Sequence, residues 1–123
     1  MPFDRNPLIA IAITSCLAAC ASAPTAQLGE SEAAYRGAEE VGAKDTPEAA
    51  YHLKLAHDQI AAAKKLMDGN RKDKRHARDL LEQAELDAEV AISTAKTSDA
   101  KARAKQAWVK VNELKTQDAI KSE

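Results

Sequence analysis

The feature that most constrains the fold of this chain is a series of small and apolar residues in its middle, spaced alternately by four and three. That alternation is the period of a coiled-coil seam. The series follows Thr46, Pro47 and Glu48, which favour a helix start through capping, a preset first turn and the helix dipole. We therefore predict a helix from Pro47, ended by a left-handed Gly69, with Asn70 continuing the turn. Its predicted seam is Ala49, Leu53, Ala56, Ile60, Ala63 and Met67.

A second series with the same spacing predicts another helix, beginning near Lys72. Two helices joined by so short a connection fold back as an antiparallel hairpin, and alanines in the seam let the backbones approach closely. The sequence thus predicts an all-α fold, an antiparallel helical hairpin or a three-helix, coiled-coil-like bundle. The seam of this helix is Ala77, Leu81, Ala84, Ala88, Ala91 and Ala95.

The seam of this helix loses its register after Ala95, because the next run does not lie on the same face. Thr97, Ser98 and Asp99 stand at the change, and Ser and Thr compete for backbone hydrogen bonds and can cap a new helix. We predict a long third helix that is kinked or split near Thr97-Ser98, with one continuous helix as the alternative. The later run is Ala100, Ala104, Ala107, Val111 and Leu114.

A weaker pattern predicts a first helix over residues 28–41, with Ala34, Ala38 and Val41 on one face and Gly42 at its end. Only 3% of the 123 residues are aromatic. An alanine seam buries little apolar surface, so the core should be thin, with Trp108 covering its edge. The formal net charge of −1 gives no field that would attract nucleic acid.

The amino terminus has the pattern of a cleaved signal. An apolar run begins at Leu8 and ends before Ser22, far short of the roughly 20 residues that cross a bilayer as a helix. Leu17-Ala18-Ala19-Cys20 resembles the lipobox of bacterial lipoproteins. Ile13-Thr14-Ser15-Cys16 fits the loose form, but it leaves a signal core of only about six residues, below the usual range. We predict residues 1–19 as the signal peptide; a disulfide between the two cysteines is the alternative.

The lipobox resemblance implies a diacylglycerol thioether and an N-acyl group on Cys20 and no other cofactor. Two or more acyl chains anchor a protein stably to a membrane. Ala21-Ser22 follow Cys20, where an aspartate would signal retention in the inner membrane. The implied location is therefore the periplasmic face of the outer membrane, with residues 20–27 as a lipidated tether and residues 28–121 as an Ala-rich helical domain.

With the lipobox and tether, the helical pattern resembles a domain-of-unknown-function family of small Ala-rich helical lipoproteins of Gram-negative bacteria. That family brings no established chemistry. The resemblance is carried by Pro47-Glu48, Leu53, Ala56, Ile60, Ala63, Asp68-Gly69, Ala77, Leu80-Leu81, Ala84, Asp87-Ala88 and Ala91.

No pattern of catalytic residues or metal ligands stands out. His52 and His57 lie five residues apart, unlike the four-residue spacing of helical zinc motifs, so with His76 they are predicted to be solvated. An acidic stripe on the third helix is likewise predicted to be a solvated face. Its members are Asp79, Glu82, Glu85 and Glu89.

A basic cluster at the start of the third helix is the candidate contact for an anion or a partner, because positive charge there opposes the helix dipole. A solvated turn is the alternative. The cluster consists of Arg71, Lys72, Lys74, Arg75 and Arg78.

We expect a non-catalytic structural or adaptor lipoprotein. Its expected partners are the membrane, through the lipid anchor, and an envelope protein or a second copy, with the cell wall as a further candidate. The alternative is a module whose helices shield a lipid or another apolar ligand.

Overall fold

The computed structural model describes residues 24–121, which form three helices and no strand. Helix α1 spans Pro24–Glu40, α2 spans Pro47–Leu66 and α3 spans Arg71–Lys121, with a 3₁₀ turn at Ala43–Asp45 between α1 and α2. The predicted all-α fold is confirmed. At 51 residues, α3 is about 76 Å long and much longer than the other two helices.

The helices run up, down and up. The start of α2 packs against the middle of α3, with Leu53 beside Ala91, whereas the end of α2 packs nearer the start of α3. Helix α1 runs parallel to α3: the Ser31 hydroxyl lies 2.9 Å from the carbonyl oxygen of Leu81, and Gly37 lies against Ile92. The predicted antiparallel hairpin therefore forms two sides of a three-helix bundle.

The core is the thin alanine seam that the spacing predicts. Every predicted seam residue of α2 is buried except Met67, which is half-buried, and every predicted seam residue of α3 up to Ala95 is buried. Leu81 is the largest fully buried side chain among the described residues. Because the surrounding positions are mostly alanines, this leucine supplies a large share of the apolar surface at the bundle centre.

Helix α1 begins at Pro24, four residues before the predicted start, so residues 24–27 of the predicted tether are helical. Ala38 is buried as predicted, but Val41 lies past the end of the helix and is 37% exposed. Ser31 is 1% exposed, although it is polar. Its hydroxyl is within 2.9 Å of the carbonyl oxygens of Gln27 and Leu81, which satisfies it in the core.

The two connections use their glycines differently. Gly42 has φ 78° and is therefore in the left-handed conformation that commonly ends a helix, in agreement with its predicted place at the end of the first helix. Gly69 was predicted to be left-handed, and this is wrong. A side-chain carbon on Gly69 would lie 2.5 Å from Oδ2 of Asp73, so glycine is needed for close approach. Thr46 precedes Pro47 as predicted, but its side chain forms no capping hydrogen bond.

Helix α3 is continuous through Thr97 and Ser98, so the predicted split is wrong and the alternative of one long helix is correct. The apolar pattern changes there because the buried seam ends at Ala95, where α1 and α2 stop covering α3.

Candidate interaction surfaces

Past its first turns, which lie beside the start of α2, the second half of α3 has no neighbouring helix among the described residues. These residues, 96–121, are called the extension, and all of them are exposed except the half-buried Ser98 and Asn112. Trp108 was predicted to cover the core edge, but it is 68% exposed, since the core ends about three and a half turns before it. The large exposed apolar residues of the extension are Trp108, Val109, Val111, Leu114 and Ile120.

A second seam runs along the exposed side of α3, and we call it the outer seam. Its first four positions each follow a buried seam position by two residues, a rotation of about 200° around a helix. The outer seam therefore faces away from the buried seam, and only Ser93 and Thr97 border a shallow pocket with Thr46 and Glu48 at the start of α2. It keeps the alternation of four and three from inside the bundle almost to the end of the helix. Its members, all exposed, are Leu86, Val90, Ser93, Thr97, Ala100, Ala104, Ala107, Val111 and Leu114.

The charges that flank the outer seam change sign along α3. Beside the bundle half of the helix, residues 71–95, the flanks are acidic, with Glu82 and Glu89 both exposed. Beside the extension they are basic. The basic flanking residues are Lys96, Lys101, Arg103, Lys110 and Lys115. The acidic stripe predicted on α3 is a solvated face, as expected, with only Glu85 half-buried.

The predicted basic cluster occupies the first two turns of α3. Arg71, Lys72, Lys74 and Arg75 are exposed, and none of them forms an ion pair within the described part of the chain. Arg78 is half-buried, and its Nε has no hydrogen-bond partner among the described residues. The cluster is thus a concentration of basic side chains at one end of the bundle, with Asp73 and Asp79 among them.

The backbone at the start of α3 is already capped. Oδ1 of Asn70 accepts hydrogen bonds from the backbone N–H groups of Lys72 at 2.8 Å and Asp73 at 3.2 Å. In return, Oδ2 of Asp73 accepts from the Asn70 N–H at 3.0 Å, which completes a capping box. These N–H donors are therefore occupied, and an anion at this end would be bound by the basic side chains.

The start of α1 and the basic cluster lie at the same end of the bundle. Because α1 and α3 run parallel and Ser31 contacts Leu81, Pro24 lies near the first turns of α3. Leu28 of α1 and Met67 of the α2–α3 connection pack against the same core cluster. The start of α1 at Pro24 therefore lies beside the basic cluster.

A shallow groove of about 300 Å³ lies between α1 and α2. Its floor is apolar, at Ile60 and Ala61, and its rim is closed on one side by an ion pair of 2.6 Å between Lys64 Nζ and Glu32 Oε1. Tyr35 and His57 face each other across it with ring centroids 5.9 Å apart. This volume is at the lower end of the range for small-molecule sites, roughly 300–1,000 Å³.

A polar cluster between α2 and α3 was not predicted. The carboxylate of Asp87 lies 2.8 Å from Nδ1 of His52 and accepts a 2.9 Å hydrogen bond from Nε2 of Gln59. His52 was predicted to be solvated, which is wrong, whereas His57 and His76 are exposed as predicted. The partners are 35 and 28 residues apart, so no local spacing could reveal the cluster.

A charged chain joins the end of α1 to the 3₁₀ turn. Tyr35 donates a 3.1 Å hydrogen bond to Oε1 of Glu39, and Nζ of Lys44 lies 2.7 Å from the same oxygen. The Lys44 ammonium lowers the pKa of Glu39, and the Glu39 carboxylate raises the pKa of Lys44. The pKa of Tyr35 is raised, mainly by burial of its hydroxyl and to a smaller extent by the hydrogen bond to Glu39.

Several predicted features lie outside the described residues, including Cys16, Cys20 and the signal peptide. Among residues 24–121, no three His, Cys, Asp or Glu side chains come together as metal ligands. None of the three described helices combines the length and apolarity needed to cross a bilayer.

Comparison with known proteins places the helical part of the chain in a family. Searches among curated proteins and among solved structures found no match. A family model described as "domain of unknown function (DUF4398)" matches residues 26–107, which cover α1 from Ala26, all of α2, and α3 as far as Ala107. Since this match covers more than half of the sequence, the chain belongs to the DUF4398 family.

Proposed function

We propose that this protein is a lipoprotein of a Gram-negative bacterium, anchored through Cys20 to the periplasmic face of the outer membrane, and that it acts as a non-catalytic structural or adaptor module. Its helices contact other proteins. The observation that carries the proposal is the extension, an amphipathic helix about 38 Å long that is almost entirely exposed in the described part of the chain.

The chemistry of the extension supports protein contact. Trp108 is 68% exposed and Leu114 is 49% exposed, and both lie near basic side chains. Exposed apolar residues of this size are common at interaction sites, and tryptophan is enriched among the residues that dominate binding energy. A helix that projects beyond its own core is well suited to carry such a surface.

The position of the basic cluster supports a membrane anchor. With Cys20 acylated, only residues 21–23 separate the lipid from the start of α1 at Pro24. The basic cluster lies at that same end of the bundle, and each basic residue near an anionic membrane surface contributes about 1 kcal/mol of attraction. We therefore assign Arg71, Lys72, Lys74, Arg75 and Arg78 to contact with lipid phosphates.

The groove between α1 and α2 favours a second function, the handling of a lipid or another apolar ligand. Its floor at Ile60 and Ala61 is apolar, but it is open and small. A lipid-handling protein would purify as a folded monomer with bound lipid.

Lipidation is tested by growing cells with labelled palmitate. Cys20→Ser should abolish labelling and membrane association, because the thiol is the acceptor, whereas Cys16→Ser should leave both unchanged. Label retained in the Cys20→Ser variant would contradict the assignment.

The adaptor role is tested by extraction with mild detergent, followed by purification and mass analysis. A stoichiometric protein partner or a second copy supports it, and bound lipid with a monomer supports the ligand-handling function. Release by detergent alone, without a muramidase, would exclude covalent attachment to the cell wall. Purified protein that converts a cell-wall substrate, and loses that activity on one carboxylate substitution, would refute the non-catalytic role.

A further inference from the structure

We propose that two copies of this chain pair through their outer seams, with α3 against α3 in antiparallel orientation. Each extension then covers the exposed side of the other copy's bundle half. The inference deepens the proposed function by naming a second copy as the partner of the extension. The bundle half, residues 71–95, and the extension, residues 96–121, have nearly equal lengths, so an axis near residue 95 matches each with the other.

The width of the outer seam points to a helix partner. Its residues occupy two positions in each heptad, and such a narrow stripe is typical of a coiled coil. A helix that lies in a lipid surface presents a broader apolar face. Two-fold symmetry also makes every favourable contact in the pair occur twice.

The flanking charges disfavour a parallel pair in register. That arrangement would place Lys96 beside Lys101 of the second copy and Lys110 beside Lys115. Both are like-charge contacts, and flanking charges of this kind set the orientation of coiled coils. In the extension, no acidic residue occupies a flanking position where it could offset these contacts.

Within residues 86–104, an antiparallel pair centred near residue 95 matches large residues with small ones, whereas Val111 and Leu114 lie opposite the polar Asp79 and His76. Leu86 then lies opposite Ala104 of the second copy, and Val90 lies opposite Ala100. Such alternation lets two helices interdigitate closely. Since Leu86 is 57% exposed and Val90 is 41% exposed in the single chain, pairing would remove apolar surface from water.

The same register joins charges of opposite sign. Glu89 faces Arg103 of the second copy, and Glu82 faces Lys110. The one like-charge contact is Lys96 with its own symmetry mate at the centre. Shifting one helix by a heptad to centre the pair near residue 98 brings Lys96 against Arg103 and leaves one opposite-charge pair among these residues, Glu89 with Lys110. Charge complementarity therefore favours the register centred near residue 95 over the register centred near residue 98.

This arrangement predicts a rod with an anchor at each end. The first turns of the two α3 helices lie about 70 Å apart along the rod, and each lies beside its own α1 start. With both Cys20 anchors in one membrane, the paired helices lie along its surface.

Cross-linking of single cysteines tests the register. Leu86→Cys and Ala104→Cys are made in two differently tagged full-length chains that are expressed together, and membranes are treated with a short thiol cross-linker. We expect a mixed dimer. Each variant expressed alone should cross-link weakly, because its two thiols would be about 27 Å apart. Efficient cross-linking of Leu86→Cys with itself, or no mixed dimer, would overturn the proposal.

The molar mass of the detergent-purified chain, measured by light scattering, tests whether the outer seam is the dimer interface. Ala100→Glu places a charge in the outer seam, whereas Ala102→Glu places the same charge on another exposed face two residues away. We expect the first to weaken dimerisation at least tenfold and the second to leave it unchanged. Equal effects, or a monomeric unmodified chain, would refute the outer-seam dimer.

A charge swap separates electrostatic pairing from general disturbance. Arg103→Glu should weaken the dimer by about tenfold, because two attractive contacts become repulsive, and adding Glu89→Arg should restore it. Circular dichroism controls for the intrahelical pair of Arg103 with Asp99, 2.9 Å apart. Failure of the double variant to recover would overturn the register. A monomer that retains a different stoichiometric protein partner would refute the dimer and leave the adaptor function standing.

Discussion

Leu81→Ala should destabilise the bundle more than any other single truncation in α3. Leu81 has no exposed surface, and most of the buried residues in its cluster are alanines, including Ala77, Ala84 and Ala88. Alanines cannot move far enough to fill the space left by a leucine side chain. Creating such a cavity by a leucine-to-alanine substitution lowers the free energy of unfolding by roughly 2 to 5 kcal/mol, and the upper half of that range applies where the surrounding residues cannot fill the space. We expect a loss of about 3–5 kcal/mol in the free energy of unfolding.

Urea denaturation followed by circular dichroism at 222 nm measures this loss on the purified chain. A natural domain of about 100 residues has only about 5–15 kcal/mol of stability, so a loss of this size lowers the midpoint severely. Val109→Ala is the control, because Val109 is 44% exposed on α3 and lies off the outer seam. If Leu81→Ala costs no more than Val109→Ala, the alanine seam is not the core of this protein.

Three further predictions concern the connections. Gly42→Ala should lower stability by about 1–2 kcal/mol, measured by thermal unfolding, because φ 78° is strained for residues with a side chain. Gly69→Ala should also destabilise, since its methyl group would displace the Asp73 carboxylate from the capping box; a Gly69→Ala protein as stable as the unmodified chain would contradict this role. Because Lys44 lowers the pKa of Glu39 in the folded state, this ion pair stabilises the fold above the ordinary pKa of the carboxyl, 4.5, and that contribution is lost as the pH falls through the folded-state value. Melting temperatures between pH 7 and pH 3 should show a smaller acid-induced decrease in a Lys44→Ala variant.

The buried seams could be predicted from the sequence because they depend on local helix geometry. Residues spaced by four and three share a face of any α-helix, so Ala56 and Ala88 were identified as core positions without knowledge of the partner helix. The start of α2 at Pro47 was predictable for the same reason, since proline fits the first turn of a helix.

The predicted split of α3 was wrong because two different structures can produce the same change in the apolar pattern. A change of face in an apolar seam can mark the end of a helix, or it can mark a change of partner along one helix. Thr97 and Ser98 favour the first interpretation locally. The structure supports the second interpretation, since the core that α3 forms with α1 and α2 ends at Ala95 and the outer seam has already begun at Leu86.

The candidate surfaces were also predictable from the sequence only in part. The composition of the basic cluster was visible in the sequence, but its position beside the start of α1 required the parallel packing of α1 on α3. The contact of His52 with Asp87 and the burial of Ser31 also join residues far apart in sequence, so neither leaves a local signal.

The sequence by itself determined the helical class, the thin alanine core and the residues that face it, because these follow from a period of 3.6 residues per turn and from the burial of apolar surface. Only the tertiary structure decided where the bundle ends on α3 and which seam stays uncovered. The physical reason is that coverage depends on the lengths and directions of neighbouring helices. Trp108 and Leu114 are exposed because α1 and α2 are too short to reach them.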